Sequence, residues 1–357
     1  MTRQRPYRKP GLNGEYRFSF GPWNIDEGTD PFGPPVRRPI PLAKKMRICR
    51  ELGFHGMQFH DDDAVPGLDS RSAAEIARQA RLVRRMLDDA GLEAEFVAPR
   101  LWFSPHTIDG AYTSNDPRCR RYAVERSRIA IDIANILGAK TLVLWLAREG
   151  SYIRESKNPR LEVLQIRDAI DAMLAHDPRI VILIEPKPNE PVDSAIIPTI
   201  GHAVGLAYLT SDPARVGCLV ETAHSILAGL DPSDDMAYAL AHGKLKSVHL
   251  NDQGGLKFDQ DKSFGSYNLR RAFNQIRVLE EYGYGRNGEW VGLDVKVMRT
   301  QKQAVNTKHL SNSLTTFKVL LDKVRTLDRT LEARLIKERD YEELDRYLLN
   351  HLMGTRS

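Results

Sequence analysis

The chain has 357 residues, 41% hydrophobic and 28% charged, a balance that excludes long disorder and fibrous classes. Its apolar runs are as short as that at 181–184, so none approaches the roughly 18 residues of a membrane span. The net charge of +5 is small, and the arginines of QARLVRR (79–85) and RCRRYAVERSR (118–128) lie on predicted helices that also carry acids, which reads as solvated helix faces rather than a nucleic-acid surface.

In chain order, residues 1–14 read as a basic N-terminal extension with no apolar stretch behind it, which argues against a secretory leader. Cys49, Cys119 and Cys218 are odd in number and far apart, so neither a disulfide framework nor a zinc knuckle is expected and a cytoplasmic setting is. From there short β-like runs alternate with helical patterns. The β-like runs span 16–20, 56–59, 93–98, 141–145, 180–185, 217–221, 245–250 and 290–295. Helical stretches span 71–90, 117–137, 160–175, 200–210 and 269–282. Gly53, Gly91 and Gly138 read as helix stops, and Asn115-Asp116 before Pro117 as an N-cap with proline in the first turn. Eight such runs separated by helices predict an α/β fold, a single (β/α)8 TIM barrel over 15–325. The doubly wound alternative lacks its glycine fingerprint, and no Walker A loop occurs. The segment 326–357 reads as a short C-terminal helical arm, packing on this barrel or on a neighbour.

A barrel of this kind carries its active site at the C-terminal ends of the strands, and ionisable residues collect there. Run two ends at His60-Asp61-Asp62-Asp63; run five at Glu185, with Lys187 and Glu190 beyond; run six at Glu221, with His224 three residues on. Run seven holds His249 and its loop Asp259 and Asp261; run eight holds Asp294 and Lys296. One such acid is usually a satisfied structural group. Five converging on one mouth would repel strongly unless one or two divalent cations compensate them. Carboxylate oxygens with one or two imidazoles suit Mg²⁺ or Mn²⁺, and also Co²⁺. Lys187 and Lys296 each lie two residues beyond such an acid, either as its neutralising partner or as a cation near a substrate oxygen.

The strings RFSFGPWNIDEGTDPFG, HGMQFHDDDAVP, DGAYTSND, IEPKPNEP, VETAHSILAGL, LNDQGGLKFDQDKSFG and LDVKVMRT resemble, in order, the successive motifs of the xylose isomerase family, of the shorter actinobacterial type. The similarity runs over about 15–325. It implies a metal-dependent aldose–ketose isomerase that interconverts D-xylose or a related aldose and its ketose by a 1,2-hydride shift. It also implies a homo-tetramer, with a homo-dimer left open by the short C-terminal arm, and the charge and apolar runs above point to no nucleic-acid or membrane partner. By the resemblance, Glu185, Glu221 and Asp294 hold one cation, and Glu221 bridges to a second held by His224, Asp259 and Asp261. Lys187 polarises the substrate carbonyl, and His60 with Asp63 assists ring opening. Trp23 and Trp145 are apolar walls, Phe32 an aromatic lent by a neighbouring subunit, and Lys296 a lysine beside the ligands.

The chain also departs from that pattern. His249 stands where the family has an aspartate ligand; it is expected to bind the cation still, with one negative charge fewer, the alternative being a histidine beside the site. Trp102 stands in place of a phenylalanine wall, and Pro99-Arg100 and Ser104 replace a Thr-Asn pair and a histidine. The arm is shorter than the family's. These departures keep open a xylose-isomerase-like epimerase or isomerase of different specificity, with one metal. A sugar-binding protein without catalysis and a DNA-repair endonuclease on the same barrel fit the residues less well.

Overall fold

The computed structural model describes residues 16–30, 32–256 and 258–355; the N-terminal extension expected at 1–14 lies outside them. Eight parallel strands close into a barrel: β1 (Arg17–Phe20), β2 (Gly56–His60), β3 (Glu93–Ala98), β4 (Thr141–Trp145), β5 (Val181–Glu185), β6 (Val216–Glu221), β7 (Leu245–Leu250) and β8 (Trp290–Leu293). Each pairs with its sequence neighbours, and β1 pairs with β8 to close the ring. The strands are apolar almost throughout, as expected where helices cover one face and the barrel interior the other.

A helix follows every strand: α1 (Leu42–Glu51), α2 (Ala73–Ala90), α3 (Pro117–Leu137), α4 (Pro159–His176), α5 (Ile200–Leu209), α6 (Pro232–Ala241), α7 (Leu269–Tyr282) and α8 (Lys308–Arg325). Asp116 caps α3 by accepting from the Arg118 amide at 2.8 Å, with Pro117 at the first helical position. Gly91 and Gly138 end α2 and α3 with φ of 65° and 83°, where a side chain would be strained. None of the described helices is long and apolar enough to cross a membrane.

The barrel interior is layered. Phe96, Ala98, Val143, Leu183 and Leu219 form an apolar layer under the mouth. Lower down, Ser19, Gln58 and Ser247 donate to the buried Glu95 side chain, so both of its oxygens are hydrogen-bonded inside the barrel. The arm consists of α9 (Arg329–Glu338) and α10 (Tyr341–Met353). It packs on its own barrel: Leu335 is buried, Arg329 pairs with Glu281 at 2.5 Å, and Arg277 pairs with Glu332 at 2.6 Å.

The eighth run is shorter than the sequence implies. β8 stops at Leu293, and Asp294 and Lys296 belong to the loop beyond. The cause is competition for the backbone. The Asp294 carbonyl accepts from Asn251 Nδ2 at 2.9 Å, and the Val295 carbonyl from Asn24 Nδ2 at 3.1 Å. The Lys296 amide donates to the Asp261 carbonyl at 2.7 Å.

Candidate metal and substrate site

Strand register delivers the polar residues to one end of the barrel. Glu185 closes β5 and lies opposite Trp145, the last residue of β4. Glu221 closes β6 and lies opposite His249 of β7, which in turn faces Gly292 of β8. The glycine is required: a Cβ at position 292 would come within 2.8 Å of His249 Cδ2 and would strike the Gln58 amide. The residue that departs from the family pattern is thus seated by a gap in the neighbouring strand.

Glu221 is the common member of three groups whose ligand atoms lie within 4.8 Å of one another: Glu185–Glu221–His224, Glu221–His249–Asp294 and Glu221–Asp259–Asp261. His224 Nε2 lies 3.3 Å from Glu221 Oε1 and 3.1 Å from Asp259 Oδ2. His249 Nδ1 lies 3.5 Å from Glu221 Oε2. Asn251, which sequence reasoning did not place in the site, ties the groups together. Its Nδ2 donates to Glu221 Oε1 and to Asp261 Oδ1, each at 3.1 Å, and its Oδ1 accepts from the Ala223 amide. Its only signal in the sequence is a polar residue one step past an apolar strand. Asp261 adopts φ of 44°, a backbone strain of the kind held at functional sites.

Electrostatically this cluster is unfinished. Burial pushes the Glu185, Glu221 and Asp261 carboxyls above their ordinary range, with neighbouring carboxylates adding to the effect. Asp259 goes the other way: burial opposes its charge, but His224, Lys187 and Lys296 hold it well down. His249 is pushed up to about 9; burial disfavours its charge, but Glu221, Glu185 and Asp294 outweigh that. Glu221 Oε2, His224 Nδ1, both ring nitrogens of His249 and Asp259 Oδ1 are buried without a hydrogen-bond partner among the described residues. Each such atom costs about 1–3 kcal/mol, and cations among them would engage the carboxylate oxygens and one nitrogen of each ring, so the residues present fit the divalent ions expected from the sequence.

Lys187 Nζ donates to Glu190 Oε2 at 3.0 Å and Asp259 Oδ2 at 2.9 Å; burial disfavours its charge, but these two carboxylates keep it protonated. Lys296 pairs with Asp261. Asp294 Oδ1 accepts from Trp23 Nε1 at 2.8 Å and from Asn24 Nδ2 at 3.0 Å.

The cavity beside these groups has a volume of about 320 Å³, the size of a small-molecule site. One wall is aromatic and continuous: Trp23 lies 4.2 Å from His60, His60 5.1 Å from Trp102, and Trp102 4.5 Å from Trp145, between ring centroids. Arg100 joins this wall. Asp63 Oδ2 lies 2.9 Å from His60 Nδ1 and accepts from the His60 amide at 3.0 Å. Burial raises the Asp63 carboxyl, but His60 and Arg100 pull it down to about 2. The structure therefore brings Trp23, His60, Trp102, Trp145, Glu185, Glu221, His224, His249, Asp259, Asp261, Asp294 and Lys296 around one cavity. Asp63 and Lys187 stand directly behind its lining. Phe32 does not join them: it is 96% exposed in the loop after β1.

Residues 46–300 match the family model described as xylose isomerase-like TIM barrel. The chain is 36% identical over 276 residues to the xylose isomerase of Thermus thermophilus, covering 76% of this chain and 70% of that protein. Among solved structures it resembles 3-keto-D-glucoside 4-epimerase from E. coli, with a TM-score of 0.62, 14% identity and coverage of 85% of this chain and 100% of that one. It also resembles an L-ribulose 3-epimerase, with a TM-score of 0.61, 14% identity and coverage of 90% and 98%. At that identity the structural neighbours speak to the fold alone.

Proposed function

The chain belongs to the xylose isomerase-like TIM-barrel family, and from that premise we propose that it is a divalent-cation-dependent isomerase that interconverts an aldose and its ketose, with D-xylose or a related sugar as substrate. The observation that carries the reading is the set of orphaned buried donor atoms on Glu221, His224, His249 and Asp259, grouped around one shared carboxylate and facing an aromatic wall. Glu185, Glu221, His249 and Asp294 would hold one ion, and Glu221, His224, Asp259 and Asp261 a second. When bound, such ions supply Lewis-acid stabilisation of charge developing on sugar oxygens.

The remaining groups are the chain's own. Trp23, Trp102 and Trp145 exclude water from the C1–C2 bond, which favours a 1,2-hydride shift over proton exchange with solvent. His60 meets the sugar at an oxygen, and its packing between Trp23 and Trp102 fixes the ring plane. Lys187 keeps its charge and stands next to Asp259, so one ammonium hydrogen can turn to a substrate carbonyl while Glu190 retains another. The sugar is the partner in every case, and the assembly is a homo-oligomer.

A second reading, an epimerase of a keto-sugar with one ion, is favoured by His249 and Arg100, which reduce the negative charge of the mouth. One experiment separates the two. Metal-stripped protein is resupplied with Mg²⁺, Mn²⁺ or Co²⁺ and given xylose, glucose, ribose, arabinose and rhamnose, and separately their ketoses. Cation-dependent conversion of aldose to ketose with two ions per chain supports the isomerase. Conversion of one ketose to another with one ion per chain supports the epimerase, and no turnover of any sugar overturns both.

A further inference from the structure

Arg100 is placed with unusual rigidity for a loop residue. Its amide donates to Asp61 Oδ1 at 3.1 Å, and Asp61 is fully buried and gripped by Arg126 through bonds of 2.7 and 3.0 Å. From that anchor the guanidinium reaches across to the strand-two end. Nε lies 3.3 Å from Asp62 Oδ1, and Nη2 donates to Asp63 Oδ1 at 3.2 Å. The same Nη2 is in direct contact with His60 Nδ1.

His60 Nδ1 therefore has two neighbours that make opposite demands. Asp63 accepts, so it favours a hydrogen on Nδ1. A guanidinium only donates and stays charged in proteins, so it favours a bare Nδ1 lone pair. Counting hydrogens decides between them. Nη2 carries two: one goes to Asp63 Oδ1, and the other has Nδ1 as its acceptor. Asp63 Oδ2 accepts from the His60 amide at 3.0 Å and lies 2.9 Å from Nδ1, so a bare Nδ1 faces a carboxylate lone pair there, which costs less than two donors in direct contact at Nη2. With the ring proton on Nε2, each of these hydrogens has an acceptor. With it on Nδ1, an Nη2 hydrogen would point at an N–H, donor against donor. The ring cannot swing away, because Trp23 and Trp102 pack against it.

We propose that Arg100 is a positioning residue that holds neutral His60 as the tautomer protonated at Nε2, so that the imidazole presents a hydrogen-bond donor to the substrate cavity. This rests on the reading of the cavity as a sugar site and deepens it. A donor at Nε2 can serve a substrate oxygen that only accepts, a ring ether or a carbonyl, as well as a hydroxyl, whereas the arrangement made by Asp63 alone would offer an acceptor that only a sugar hydroxyl can meet. The exchange of Asn-type neutrality for arginine at this strand end thus changes what His60 can do without changing His60.

The test is a tautomer measurement that needs no turnover. Protein labelled with [¹⁵N]histidine is examined by long-range ¹H–¹⁵N correlation at neutral pH, with His60→Asn to assign the resonances. The expected result is a protonated Nε2 and a bare Nδ1 in the wild type, and the reverse in Arg100→Gln, where Asp63 is left alone with Nδ1. Arg100→Lys keeps a charge but loses the fork, and should give a mixture. A wild type protonated at Nδ1, or doubly protonated, overturns the proposal, as does an Arg100→Gln spectrum identical to wild type. Should Arg100→Gln fail to fold, the wild-type spectrum alone decides. A protein with the expected tautomer that converts no sugar would sink the isomerase reading and leave this one standing.

Discussion

His249 is where a single residue would decide the behaviour of the proposed cation site. Without an ion its imidazole stays protonated up to about 9, yet it must be neutral to ligate. Binding therefore expels a proton, and apparent affinity should rise by up to about tenfold per pH unit between pH 7 and 9. The sign for stability is opposite. A histidine whose folded pKa lies above its ordinary 6.5 adds stability that is fully present below 6.5 and lost as pH rises through about 9, so the metal-free protein should weaken over the range in which the loaded one tightens. Calorimetric titration with Mg²⁺ at several pH values checks the first part and thermal melts in chelator the second. His249→Asp should tighten Mg²⁺ at pH 7 by about tenfold or more, roughly 1.4 kcal/mol. His249 was legible from sequence because a titratable group at a strand end stands out against Val, Leu and Ile. The bonds of Asn251 and Asn24 were not, because an amide gives no charge pattern and its partners come from strands far away in the chain.

Among elements, the loop after β3 carries Arg100, Trp102 and Phe103 into the mouth, and its shape depends on one carboxylate from the next loop. Glu149 is buried and accepts from the amides of Ala111, Tyr112 and Thr113 at 2.9–3.1 Å and from the Thr113 hydroxyl at 2.6 Å. The Gly150–Ser151 pairing with Ser194–Ala195 then ties that loop to the one bearing Lys187 and Glu190. A glutamine at 149 has one acceptor oxygen where four donors converge. Glu149→Gln should therefore cost about 1–3 kcal/mol, and limited proteolysis should open first within 99–116. An unchanged melting temperature and an unchanged digest would count against this clamp. The barrel strands at 93–98, 141–145 and 245–250 and the helices at 117–137 and 269–282 could be read directly, since period and punctuation agree there. The end of β8 could not, because side chains just past β1 and β7 capture its backbone, and no local pattern encodes a distant competitor.

For the whole molecule, the mouth loops leave Phe32, Phe103, Ile153, Phe258 and Met298 exposed, an apolar rim of the kind that a partner covers. A second copy of the chain is the occupant implied by the homo-oligomer reading. Sedimentation should give a dimer or tetramer, and Phe32→Ser should weaken association or raise the KM for sugar while leaving cation affinity unchanged. A monomer with full activity would refute this. The fold was largely open to sequence reasoning because eight runs announce a barrel, whereas the rim carries only scattered single residues until the loops gather them. The seam of the barrel carries a different consequence. Asp294, from the last strand's loop, is held by Trp23 and Asn24 just after the first, so the proposed ion-binding cluster straddles the two ends of the barrel sequence. During synthesis that clasp has only one jaw until β8 leaves the ribosome. An ion held through Asp294 would then be taken up late, as a report that the ring has shut, whereas the group of Glu221, His224, Asp259 and Asp261 is complete before β8.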